Sequence, residues 1–141
     1  MNPPTTPTFT GGCFCGAVRY QAEADPIFSI NCHCRGCQKT SGGGYAPIFM
    51  LPAAVLTVTG EVSYYESKGD TGHSVLRGFC PTCGSQLFGK PAVLPGTVGI
   101  KAASLDDPAR YQPGADMYTD SAQPWDVMNP QLPKFAKAPP V

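Results

Sequence analysis

Seven cysteines in a chain of 141 residues fall into three short clusters, and this grouping limits the possible folds more than any other feature. The clusters are Cys13-Phe14-Cys15, then Cys32-His33-Cys34-Arg35-Gly36-Cys37, then Cys80-Pro81-Thr82-Cys83. Sulfurs two or three residues apart can share one point in space, because a single turn aims both side chains inward. Converging thiolates are what a zinc ion takes as ligands: four close a tetrahedral site, and three leave a position open. Seven sulfurs divide as four plus three, which predicts two zinc ions per chain, one sealed and one able to take a further ligand. An odd count, set in Cys-x-Cys and Cys-x-x-Cys units, argues against a disulfide framework.

Cys13 and Cys15 lie far in sequence from Cys80 and Cys83, so a zinc ion shared by these four would staple the start of the chain to its middle. A small domain with a modest core gains from such a staple. Gly 16, Pro 16 and only 14% charged residues favour turns and short strands over long helices. Val18, Tyr20 and Ala22 alternate with polar residues, which predicts a half-buried strand. Further strands are expected at 27–30, 45–50, 73–79, 86–88 and 97–102, and a hairpin from Val55–Val58 and Val62–Tyr65 around Gly60. Arg35 to Ser41 predicts a helical turn or two, stopped by Gly42-Gly43-Gly44, and the chain from Leu105 onward reads as mostly irregular. The expectation is one mainly β domain over residues 9–135, with the cysteines at strand ends and flexible tails at 1–8 and 136–141. A net charge of +0 lacks the basic field that nucleic acid binding needs. No apolar run approaches the ~20 residues of a membrane helix. The opening Met1 to Pro7 has no basic and apolar leader pattern, so a cytoplasmic setting with reduced thiols is expected.

Cys32, Cys34 and Cys37 lie within six residues and suit the open site. The alternative is a second closed site, with His33 or the distant His73 as fourth ligand, although His33 sits between two ligands and should point away. Three thiolates on a +2 ion leave a charge of −1, which acidifies bound water less than a neutral ligand set does. Sulfur chemistry is favoured over hydrolysis. A nucleobase deaminase would need Glu two residues after a ligand, and Cys15, Cys34 and Thr82 stand two after Cys13, Cys32 and Cys80. A redox Cys-x-x-Cys belongs at a helix start in a βαβ unit, whereas Gly84 to Phe88 reads as turn then strand.

Gly11 to Tyr20, Cys32 to Gly42 and Arg77 to Phe88, with Lys101 to Pro108 and Pro124-Trp125, resemble the glutathione-dependent formaldehyde-activating enzyme family over roughly residues 9 to 135. The resemblance implies a β-tent fold of short antiparallel sheets around zinc. It implies a structural zinc on Cys13, Cys15, Cys80 and Cys83, and a catalytic-type zinc on Cys32, Cys34 and Cys37 with its open position toward substrate. It implies a carbon–sulfur lyase that joins formaldehyde to glutathione, the expected small-molecule partner. Arg35 and Lys39 flank the open site and are candidate contacts for the glutathione carboxylates. The alternative is a non-catalytic zinc scaffold or chaperone-like module of the same fold. Asp116 stands where similar proteins often carry a histidine.

Overall fold

A computed structural model describes residues 6–140. Ten strands run along the chain: β1 (Thr8–Gly12), β2 (Arg19–Glu23), β3 (Phe28–Cys32), β4 (Ala46–Pro52), β5 (Leu56–Thr59), β6 (Ser63–Lys68), β7 (Ser74–Phe79), β8 (Gln86–Pro91), β9 (Thr97–Lys101) and β10 (Ala115–Met117). The helix α1 (Arg35–Ser41) lies between β3 and β4 and stops at Gly42, as its sequence requires. The domain is mainly β. No helix among the described residues is long and apolar enough to cross a membrane.

The strands form two sheets. A small one has the order β1-β2-β5 and a large one the order β10-β3-β4-β9-β8-β7-β6. Neighbours are antiparallel except β10, which runs parallel to β3. Tyr20 and Ala22 of β2 are buried while Arg19, Gln21 and Glu23 are exposed, because successive strand residues point to opposite faces. The buried face meets the large sheet. Phe9 packs on Phe49 with ring centroids 4.8 Å apart, and Tyr20 meets Phe88 edge-on at 5.4 Å. Val18, Leu51, Leu87, Phe88, Val98 and Ile100 are fully enclosed between the sheets.

The register fixes the opposite face of the large sheet as well. Cys32 pairs with Ala46, Ile48 with Lys101, Gly99 with Gly89, and Gly89 with Arg77. These residues share the face turned away from Phe49, Phe88 and Ile100. One sheet thus carries a core on one side and a cysteine with two cations on the other.

One sequence expectation changes. Val55–Val58 and Val62–Tyr65 do not form a hairpin, since β5 pairs with β2 in the small sheet and β6 pairs with β7 in the large one. Gly60 turns the chain from one sheet to the other. Its φ of 94° is left-handed, and a Cβ there would lie 2.1 Å from the Ala17 carbonyl oxygen. Leu56 and Val62 each pack against the core between the sheets, which holds the two strands in different layers. Gly11 and Gly12 end strand β1, held extended by pairing with Tyr20 and Arg19 of β2. The segment after Leu105 is mostly irregular, as expected, but contains the short strand β10, and the chain beyond it folds back. The Asp116 amide donates to the Pro133 carbonyl, the Phe135 amide to the Asp116 carbonyl, and the Tyr118 amide to the Lys137 carbonyl.

Phe88 joins the sheets, so Phe88→Ala leaves a cavity at the joint. It should lower stability by about 3–5 kcal/mol, read from urea unfolding of the metal-loaded protein. A loss below about 1 kcal/mol would show that the joint does not depend on this ring.

Candidate metal centres and their surroundings

The turn between β1 and β2 carries Cys13 and Cys15, and the turn between β7 and β8 carries Cys80 and Cys83. Their four sulfurs lie within 4.8 Å of one another. Cys13 Sγ is 3.6 Å from Cys15 Sγ, and Cys15 Sγ is 3.8 Å from Cys80 Sγ. A tetrahedral zinc with Zn–S bonds of about 2.3 Å sets its sulfurs about 3.8 Å apart, whereas a disulfide brings them to about 2.05 Å. The spacing therefore fits four ligands of one ion. Backbone amides face the sulfurs: Val18 N–H donates to Cys13 Sγ at 3.2 Å, and Thr82 and Cys83 N–H to Cys80 Sγ at 3.4 and 3.5 Å. The Ser85 hydroxyl, then the Ser85 and Cys15 amides, bring the Cys83 thiol down to about 5. Donors of this kind favour the thiolate, the form that binds metal. The Phe14 amide also donates to Ser85 Oγ at 2.9 Å, a second tie between the two turns.

Cys32, Cys34 and Cys37 form the second group, again with sulfurs within 4.8 Å. Local structure explains the convergence. Cys32 ends β3, Cys34 is the N-cap of α1, and Cys37 is in its first turn. Cys34 Sγ accepts from the Cys37 amide at 3.3 Å, the place usually taken by a Ser or Asp oxygen. Cys32 and Cys37 are buried and Cys34 is partly exposed, so a ligand reaches the group from the Cys34 side. Hydrogen bonds from Cys32 and Cys34 hold the Cys37 thiol far below its ordinary range, and the charges of Lys101 and Arg77 act in the same direction. Met117 and Tyr118 pack against the group. Tyr118 holds a left-handed φ of 57°, and its hydroxyl donates to Asp70 Oδ1 at 2.8 Å at the tip of the β6–β7 hairpin. Strain of this kind persists only where the surroundings enforce it.

Sequence reasoning missed the two cations at this group. Arg77 Nη1 lies 3.9 Å from Cys37 Sγ, and its Nε donates to Ser67 Oγ at 3.2 Å. Lys101, on β9, is buried. Burial pulls its ammonium below the usual lysine range, while the neighbouring cysteines pull the other way. Both residues occur in the expected strands 73–79 and 97–102, and a signal existed. Lys101 sits between Ile100 and Ala102, a charge inside an otherwise apolar strand.

His33 points away from the sulfurs, as its place between Cys32 and Cys34 predicts. Its Nδ1 meets Asp126 Oδ2 at 2.7 Å and its Nε2 meets Asp116 Oδ1 at 2.9 Å. Both ring nitrogens are occupied, so His33 is not a fourth ligand. Exposed His73 belongs to neither cysteine group. Asp116 also accepts from Lys134 Nζ at 2.7 Å and from Asn31 Nδ2 at 3.3 Å. Burial pushes its carboxyl up, but Lys134, His33 and Asn31 bring it below the usual value of 3.8. Gln38 adds a further tie, donating to the His33 carbonyl at 2.7 Å and the Ser121 carbonyl at 2.9 Å. The returning chain thus clamps the loop that carries the three cysteines. Arg35 and Lys39 are exposed on α1, and Arg35 donates to Gln38 Oε1. A hollow of about 340 Å³ lined by Asn31, Tyr45 and Tyr111 contains none of the cysteines.

Three mutational outcomes follow from this geometry. Cys83→Ser opens the joint between the sheets and should cost much of the ~10 kcal/mol order of stabilisation that a structural metal gives. Cys34→Ser should weaken metal at the second group and leave the fold in place, as thermal unfolding with metal analysis would show. Equal destabilisation would contradict the division of roles. Asp116→Ala strands His33 and Lys134 and should cost about 3–5 kcal/mol near neutral pH. Because the folded Asp116 carboxyl is lowered, its contribution is present above its unfolded value of 3.8 and is lost as pH falls through the lowered folded value. The gap between wild type and Asp116→Ala should therefore narrow in acid below that value. A gap that stays constant would contradict the assignment.

The profile of the family described as "Glutathione-dependent formaldehyde-activating enzyme" matches residues 8–121. A protein of Halomonas elongata that bears the same family's name is 39% identical over 83 residues, which cover 55% of this chain and 53% of the relative. The chain spans about half the length of this curated relative. A crystal structure of a Rhodobacter sphaeroides protein superposes with a TM-score of 0.57 at 19% identity, covering 89% of this chain and 98% of that one. That likeness establishes the fold alone. With the family profile spanning most of its length, this chain belongs to the glutathione-dependent formaldehyde-activating enzyme family.

Proposed function

We propose that this protein is a zinc-dependent carbon–sulfur lyase acting on adducts between a thiol and an aldehyde, with glutathione and formaldehyde as the first candidates. The observation that supports it is the three-sulfur group of Cys32, Cys34 and Cys37, beside which the nearest histidine is turned away and held by two carboxylates. The all-sulfur donor sets and their spacing suit zinc at both groups. Zinc at the second group supplies an open coordination position that favours a sulfur ligand in its deprotonated form. The family description names glutathione and formaldehyde, and the Halomonas elongata relative bears that name.

The chain's residues divide the work. Cys32, Cys34 and Cys37 hold the ion, and Asp116 and Asp126 keep His33 from closing it. Arg35 and Lys39 are the proposed partners for the glutathione carboxylates. In the synthetic direction the thiol gives up its proton, a bond forms between its sulfur and the aldehyde carbon, and the carbonyl π bond breaks. The carbonyl oxygen takes up a proton to become a hydroxyl, so the reaction is proton-neutral. Seven unpaired thiols suit a reducing compartment, and the proposed setting is the cytoplasm.

Calorimetric titration with glutathione in two buffers of different ionisation enthalpy tests this reading. Wild type should release a proton on binding, with affinity rising as pH approaches the thiol's own pKa. The release should vanish in Cys34→Ser. Arg35→Ala should weaken glutathione and leave a thiol without carboxylates unaffected. If no small thiol binds the zinc-loaded protein at millimolar concentration, the lyase reading fails and a non-catalytic scaffold of the same fold takes its place.

A further inference from the structure

Two cations lie buried beside the three-cysteine group, and no acid among the described residues neutralises them. Arg77 is 9% exposed and Lys101 7%. Among the described residues, neither pairs with a carboxylate, whereas Arg19, Lys134 and Lys137 each do. Buried charge is costly unless a partner compensates it. Among the described residues, the opposite charges at hand are the thiolates of the three cysteines. Arg77 reaches Cys37 Sγ at 3.9 Å. Lys101 crosses β8 above Gly89, where a Cβ would lie 3.8 Å from its Nζ. The strand order β9-β8-β7, with Gly89 opposite Arg77, sets both cations on the face that carries Cys32. Gly89 leaves the floor clear between them.

The charges can be counted. Three thiolates against Arg77 and Lys101 leave one negative charge. A divalent ion in the group turns this into one positive charge, and one further anion restores neutrality. Without the two cations, the loaded group would carry a negative charge and repel an anion. The cations therefore reverse the sign seen by an incoming ligand.

We infer that Arg77 and Lys101 are positioning residues that select an anionic ligand, a thiolate, over a neutral one at the open corner of the Cys32, Cys34 and Cys37 group. The inference deepens the lyase reading and rests on it. It assigns the selection to two residues far in sequence from Cys32, Cys34 and Cys37, brought to them by the order of the strands.

The test uses the full chain loaded with cobalt(II), whose ligand-field spectrum reports the fourth ligand. Two probes are titrated: mercaptoethanol, a thiol without carboxylates, and imidazole, a neutral donor. Lys101→Met keeps the chain length and removes the charge, and Lys101→Arg restores it. Lys101→Met should lower the ratio of thiol to imidazole affinity by about tenfold or more, as expected for removing one buried unit charge from the same face of the sheet in a medium of intermediate dielectric. Lys101→Arg should return the ratio toward wild type. Arg77→Gln should move it in the same direction as Lys101→Met, and serves if that variant does not fold. A ratio unchanged in a folded, metal-loaded variant overturns the inference. So does an equal loss for both probes, which marks a purely structural role. Wild type that takes imidazole but no thiol sinks the lyase reading and this inference with it. Wild type that takes thiol, with an unmoved ratio in the variants, sinks this inference alone.

Discussion

The meeting of the Cys13–Cys15 turn with the Cys80–Cys83 turn decides where the two sheets of this protein sit. A three-stranded sheet of four- and five-residue strands has little stability alone. Four sulfurs within 4.8 Å pin its first turn to the β7–β8 turn of the larger sheet. The aromatic pairs Phe9–Phe49 and Tyr20–Phe88 then fill the angle between the sheets. Sulfur cluster and apolar core reinforce each other. The cluster sets the angle, and the core excludes water from the buried sulfurs of Cys13 and Cys80.

With the angle fixed, the large sheet can use its two faces differently. One carries Phe49, Phe88 and Ile100 into the core. The other carries Cys32, Arg77 and Lys101 to the second sulfur group. The loop from Cys32 to Cys37 needs support of its own, because only three sulfurs converge there. That support comes from the returning chain after β10. Asp116 and Asp126 take both nitrogens of His33, and Gln38 bridges the His33 and Ser121 carbonyls. The clamp and the three-cysteine group are thus built from adjacent residues. His33 is turned out of the ligand set by the contacts that fix Cys32 and Cys34.

What was legible in the sequence was local. Each cysteine cluster spans a few residues, and a turn is enough to bring its sulfurs together. The sulfur pairs within each cluster, the alternating strand at Val18 to Ala22 and the helix ended by Gly42 all follow from near neighbours, and the four-plus-three division follows from the count of seven. What was not legible depends on which strands pair. Val55 to Tyr65 carries a hairpin pattern, yet Leu56 and Val62 each find the core from a different sheet. β10 is three residues long, and it is held as a strand by its pairing with β3, by the backbone bonds of Asp116 to Pro133 and Phe135, and by the buried contacts of the Asp116 side chain. Asp116 was visible as a departure from similar sequences, but its partner His33 lies 83 residues away. Arg77 and Lys101 read as strand residues of no special role. The β9-β8-β7 order brings them to the sulfurs, and no spacing rule encodes that order.

Zinc X-ray absorption, combined with elemental analysis of protein purified without chelator, examines the division into a closed and an open group most directly. It should find two zinc ions per chain with the seven cysteine sulfurs shared between them, and one added sulfur per chain when mercaptoethanol is supplied. A single zinc ion after zinc is added back, or a second zinc already closed by a protein nitrogen or oxygen and unchanged by the thiol, would contradict it.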